Sequence, residues 1–206
     1  MDAAAALLIV DIQNDFLPGG ALAVPGGDEV IPTVNRVALH FDKVVLTQDW
    51  HPPGHISFAS SHPGKSPFST IDLPYGRQVL WPDHCVQGTF GARFADKLAV
   101  PQAQAVIRKG YHAHTDSYSA FLEADRRTPT GLAGLLRERG VTTVYLAGLA
   151  LDFCVAWSAL DARSAGFEAI VIEDGCRAID TNGSLEAALR AFDSAGVRRI
   201  GSDAVA

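Results

Sequence analysis

Positive charge is scarce in this chain: 17 Lys and Arg stand against 23 Asp and Glu in 206 residues, for a formal net charge of −6. Nucleic acid and anionic lipid both reward clustered Lys and Arg, so neither is the expected partner, and a small molecule is. Cysteine is scarce as well. Cys85, Cys154 and Cys176 form an odd, widely spaced set, unlike the framework of a disulfide-stapled secreted domain, so a reducing cytoplasm is the expected compartment. The N-terminal apolar run is short, from Ala3 to Val10, and no basic residue precedes it. It lacks both the length of a membrane span and the layout of a signal peptide. A homo-oligomer is compatible with these features.

What is present is apolar material: 48% of residues are hydrophobic, enough for one sizeable core in a single domain over residues 1–206. The run Ala4 to Val10 reads as a central parallel strand buried on both faces. Similar runs follow at Lys43 to Thr47, Ala105 to Arg108, Thr143 to Ala147 and Ala169 to Ile172, with a weaker one at Arg198 to Gly201. Helical patterns lie between most of them. One runs from Asp28 to about Phe41, and Leu132 to Arg139 stops at Gly140. Asp152 to Ala165 stops at Gly166, and Ser184 to Ala195 at Gly196, as helix-ending glycines do. Alternating strand and helix predict an α/β fold on a mostly parallel six-stranded sheet.

The stretch from about 48 to 101 breaks this rhythm and shows no sustained period. Connections of that length are functional or disordered. Its four histidines and two tryptophans argue for order and function.

Ligands of open α/β sheets bind outside the carboxyl ends of the strands. There the sequence places Asp11, Asp49, Lys109 and Cys154 after the first four strands. Each alone has an ordinary structural reading, as a turn residue, a solvated strand end or a small buried hydrophobe. Packing does not require all four at one sheet edge.

Cys154 falls where a strand gives way to a helix, so the helix N-terminus is expected to favour its thiolate. The N–H groups of Ala150 and Cys154 in the same turn are candidates for an oxyanion site. Cys176, after the next strand, is the competing thiol. Asp49 and His51 can point to one side of an extended backbone, and with His84 from the long loop they suit a metal. Such N,N,O ligation admits zinc, iron or manganese.

Six stretches, in this order and spacing, resemble the nicotinamidase/pyrazinamidase branch of the isochorismatase-like cysteine hydrolases. They are Val10-Asp11-Ile12-Gln13-Asn14-Asp15-Phe16, Asp49-Trp50-His51-Pro52, Trp81-Pro82-Asp83-His84-Cys85-Val86, Arg108-Lys109-Gly110, Asp116-Ser117-Tyr118-Ser119 and Gly148-Leu149-Ala150-Leu151-Asp152-Phe153-Cys154-Val155. The likeness spans about Leu8 to Asp180. It implies a three-layer, doubly wound sheet and a catalytic triad of Asp11, Lys109 and Cys154. It also implies one divalent metal, zinc first among the candidates, on Asp49, His51 and His84, with water, His55 or Ser57 completing the shell. A cis peptide before Ala150 and a substrate pocket lined by Phe16, Trp81 and Tyr118 complete the expectation. Phe153 departs from the residue that relatives often carry before the nucleophile, which puts the pocket wall in question.

The activity implied is hydrolysis of nicotinamide, and of pyrazinamide, to the acid and ammonia through a cysteine thioester, in NAD salvage. Another amidohydrolase of the superfamily, acting on an N-carbamoyl or maleamate-like amide, is the alternative. A catalytically inactive metal-binding module is the non-enzyme alternative.

Overall fold

The computed structural model describes residues 2–205. Six parallel strands form the central sheet: β1 Ala5–Val10, β2 Val44–Asp49, β5 Ala105–Lys109, β6 Thr143–Leu149, β7 Glu168–Arg177 and β8 Arg198–Ile200. Their spatial order is β5-β2-β1-β6-β7-β8. A separate antiparallel hairpin, β3 Thr70–Leu73 with β4 Gly76–Val79, lies within the long connection. The helices are α1 Val30–Ala38, α2 Leu132–Glu138, α3 Ala156–Ser164 and α4 Ser184–Ala195.

The continuous apolar character of β1 follows from its central place. Ala5, Leu7 and Ile9 pack into one core cluster with Val30, Val34 and Val37 of α1. Ala6, Leu8 and Val10 pack into the other, with Leu132 and Leu136 of α2, Ala159 of α3 and Phe192 of α4. Helices thus cover both faces, and the three-layer, doubly wound arrangement is as expected.

All six expected strands and four expected helices are present, with shifted ends. α1 is shorter than the capping pattern suggests, because a 3-10 turn at Gly27–Glu29 precedes it and it ends at Ala38. β7 runs past Ile172 to Arg177, its pairing with β6 slipping between Leu146 and Gly148. β5 is an edge strand, with Val106 exposed, so it is not buried on both faces. The hairpin is new: Gly76 lies in its turn at φ 126, and its strands are only 4 residues each, too short for a period to show.

The order of strands reverses between β1 and β6, one neighbour leading to β2 and the other to β7. That switch point opens a crevice at the carboxyl edge. Val10 pairs with Gly148 across it, and Asp49 with Lys109 on the neighbouring strands. Gly148 is required there: at φ 127 a Cβ would come within 2.1 Å of the Val10 carbonyl oxygen.

Candidate active site

Asp11 directly follows β1 and takes a left-handed φ of 48, an uncommon conformation for a residue with a side chain. Its N–H donates to Thr47 Oγ1 at 3.2 Å, and the Thr47 hydroxyl donates to Asp11 Oδ1 at 2.6 Å. Lys109, at the end of β5, is completely buried. Its ammonium donates to Asp49 Oδ1, to the Ser117 carbonyl at 3.1 Å and to Cys154 Sγ at 3.2 Å. It also lies 2.8 Å from Asp11 Oδ2. Cys154 Sγ and a carboxylate oxygen from each of Asp11 and Asp49 lie within 4.8 Å of one another. The thiol, carboxylate and ammonium that are remote in sequence therefore share one buried spot.

Cys154 sits in a π-helical turn, Leu151–Val155, that leads into α3, so the expected helix from Asp152 begins as this wider turn. Such turns recur at functional sites. The Phe153 and Val155 amides bond back to the Ala150 carbonyl. Asp152 Oδ1 and Oδ2 accept the N–H groups of Ile179 and Asp180, tying the turn to the loop beyond β7. The Leu149–Ala150 peptide is cis, in line with the resemblance.

The thiolate expected at this helix start is corrected. Burial pushes the Cys154 thiol well above the usual range; Lys109 opposes the shift and Asp11 and Asp49 add to it. Burial likewise raises Asp11, against the pull of Lys109. Burial also works against the Lys109 charge, but Asp11 and Asp49 outweigh it and hold the ammonium well above the lysine range. Cys176, the competing thiol, is buried in β7 opposite Gly148, and burial pushes it up to about 12.

Asp49, His51 and His84 converge as expected, with both imidazole Nε2 atoms 3.6 Å from Asp49 Oδ2. The remaining ring nitrogens are committed: His51 Nδ1 lies 2.9 Å from the Gly110 carbonyl and His84 Nδ1 2.8 Å from the Pro82 carbonyl. A carbonyl can only accept, so Nδ1 carries a proton in both rings, and Nε2 is the nitrogen turned to the carboxylate. This is the tautomer and outer support that metal-ligating histidines use, so the donor set fits a divalent cation. His55 packs its ring 4.4 Å from that of His51. Its nitrogens meet Ser57 Oγ and the carbonyls of His112 and Thr115, while the Ser57 hydroxyl keeps its oxygen lone pairs when it donates to His55.

Phe16, Trp81 and Tyr118 line one pocket together with Ala150, Cys154, Asp49, His51 and His84. Phe153 is part of the wall: its ring lies edge-on to Trp81 at 4.9 Å and to Tyr118 at 5.5 Å. Leu22 and Ile179 also line the cavity, and nothing in the sequence pattern singles them out; Asp116, likewise in the lining, stands in one of the six stretches without a role assigned to it. The same holds for most of the supports. Gln13 brackets Asp49, donating to its carbonyl and accepting its N–H, and Asp15 Oδ2 accepts the Cys85 N–H at 2.7 Å, next to His84. Thr47 has one usable signal, its position two residues before Asp49 on the same side of the strand.

The isochorismatase domain model matches residues 5–203. The chain belongs to the isochorismatase family. Within that family it is similar to a nicotinamidase of Acinetobacter baylyi, 60% identical over 197 residues, covering 96% of this chain and 92% of the relative. Its structure is similar to that of a nicotinamidase/pyrazinamidase of Acinetobacter baumanii, with a TM-score of 0.99, 59% identity and full coverage of both chains. It is also similar to the Pyrococcus horikoshii pyrazinamidase in complex with zinc, with a TM-score of 0.79 and 37% identity over 96% of this chain and 99% of that one. No helix among the described residues is long and apolar enough to cross a membrane.

Proposed function

We propose that this isochorismatase-family chain is a nicotinamidase that also accepts pyrazinamide. It hydrolyses the carboxamide to the acid and ammonia through a thioester on Cys154, in the cytoplasm, as a step of NAD salvage. The observation that carries the reading is the Lys109 ammonium, which contacts Asp11 and the Cys154 sulfur, 2.8 and 3.2 Å away, where Cys154 lines an aromatic-walled cavity. The extensive likeness to nicotinamidases supports the substrate.

Asp11 takes the proton from the Cys154 sulfur, and the sulfur attacks the carboxamide carbon. The N–H groups of Ala150 and Cys154 receive the developing oxyanion. Protonated Asp11 returns its proton to the amine nitrogen, and ammonia leaves as the carbonyl re-forms on sulfur. Asp11 then removes a proton from water, which attacks the thioester and frees the acid and the thiol. Lys109 stays charged throughout, holding Asp11 in place and offsetting negative charge in a site shielded from water. Asp49, His51 and His84 would hold the metal, proposed to be zinc, which supplies a Lewis-acidic contact for a ring nitrogen. Phe16, Trp81, Tyr118 and Phe153 confine the ring over the sulfur, which places the carboxamide for attack.

Ammonia release from nicotinamide, measured beside maleamate and N-carbamoyl amino acids, tests the proposal. Nicotinamide is expected to be preferred; preference for maleamate or an N-carbamoyl compound would move the chain to another branch of the family.

A further inference from the structure

Asp116 has no part in the proton transfers of the reaction, yet its carboxylate is 2% exposed and lines the cavity. One of its oxygens lies within 4.8 Å of ring nitrogens of His51 and His55. The carboxylate is held from both sides: the Ser117 N–H donates to Oδ1 at 2.8 Å and Gln78 Nε2 donates to Oδ2 at 2.7 Å. Gln78 belongs to the β3–β4 hairpin and also donates to the Tyr118 hydroxyl, at 3.1 Å, so the hairpin fixes Asp116 and the aromatic wall together.

No Arg or Lys lines this cavity among the described residues. Lys109 is committed to Asp11, Asp49 and Cys154. A divalent cation on Asp49, His51 and His84 would leave one net positive charge facing the ligand, and Asp116 cancels it. The reaction converts an uncharged amide into an anion, so a wall without net positive charge favours the substrate over its product.

We propose that Asp116 is a specificity-determining residue that admits uncharged carboxamides and disfavours carboxylate-bearing substrates and products. This rests on the nicotinamidase reading and deepens it, because maleamate and N-carbamoyl amino acids carry the carboxylate that Asp116 opposes.

The test is calorimetric binding of nicotinamide and nicotinate to the metal-loaded Cys154→Ala protein, with and without Asp116→Asn. Cys154→Ala alone should bind nicotinamide about tenfold or more tighter than nicotinate, a gap within reach of one nearby charge in a partly desolvated site. Asp116→Asn should close most of that gap by tightening nicotinate, since Asn keeps the size of the side chain and an acceptor for Gln78. Equal or tighter nicotinate binding by Cys154→Ala overturns the proposal whether or not the second substitution folds, and so does a gap that Asp116→Asn leaves unchanged. If wild type turns over nicotinamide and the gap is absent, this inference alone fails. If nicotinamide neither binds nor reacts, the nicotinamidase reading fails with it.

Discussion

Asp11 Oδ2 lies 2.8 Å from Lys109 Nζ, in an ion pair whose two side chains are fully buried. An ammonium has three hydrogens, and those of Lys109 go to Asp49, Ser117 and Cys154. Oδ2 is held by the ammonium charge, and a carboxylate oxygen of Asp11 lies within 4.8 Å of the Cys154 sulfur. A base poised in this way is what proton removal from Cys154 needs.

Replacing that base tests the arrangement. Asp11→Asn keeps the shape and the contact with Thr47 but cannot take a proton, so kcat should fall by about 10²–10⁴-fold, the range for a positioned general base. Steady-state ammonia release checks this, with circular dichroism to show that the fold persists. A loss of less than about tenfold would assign proton removal to another group.

The thiol itself makes a second prediction. Because burial raises Cys154, its thiolate fraction at neutral pH is below that of a free cysteine, and alkylation by iodoacetamide should rise only above pH ~8.5, the ordinary thiol value. Peptide mass spectrometry separates Cys154 from Cys85 and Cys176. An inflection near or below pH 7 would mean that Lys109 and the turn outweigh desolvation and the two carboxylates.

Sheet, strand order and triad do not share one level of legibility. The buried run that ends at Asp11 and the strand-to-helix turn at Cys154 mark themselves by apolar length and glycine stops, so the alignment of Asp11, Asp49, Lys109 and Cys154 along one sheet edge is legible in the order of residues alone. The roles of Gln13 and Asp116 are not, although both residues stand in the six stretches. Each acts through hydrogen bonds to residues more than 30 positions away, as Gln13 to Asp49 and Gln78 to Asp116 illustrate, with |i−j| of 36 and 38. Local periodicity carries no trace of such pairs. The sign of the Cys154 shift escapes a sequence reading for the same reason: the helix start is local, but the desolvation and the carboxylates that raise the thiol arrive through tertiary packing.

Gly110 offers a prediction about the metal site that leaves every ligand in place. Its φ is 66, and a Cβ there would sit 2.4 Å from His51 Cε1, while its carbonyl accepts from His51 Nδ1. Gly110→Ala must turn the His51 ring or shift the backbone. Since outer supports of metal-bound histidines are worth about 10–100-fold in affinity, metal binding should weaken by about that factor in a chelator competition. Unchanged affinity would show that the His51 ring tolerates reorientation.

Cys154→Ala and metal removal together separate cysteine catalysis from its metallohydrolase rival. Lys109 keeps its contacts with Asp11, Asp49 and the Ser117 carbonyl when the sulfur is gone, so Cys154→Ala should fold and hold metal as wild type does while ammonia release disappears. Chelation should act differently, chiefly by raising KM, because Asp11, Lys109 and Cys154 lie outside the set Asp49, His51 and His84 that would hold the ion, and the ring loses an anchor. Elemental analysis of the variant and initial rates of the chelated enzyme read the two arms. If the cysteine variant kept appreciable turnover and chelation abolished kcat, metal-bound water would be the nucleophile, and the contact between Lys109 and Cys154 would be structural.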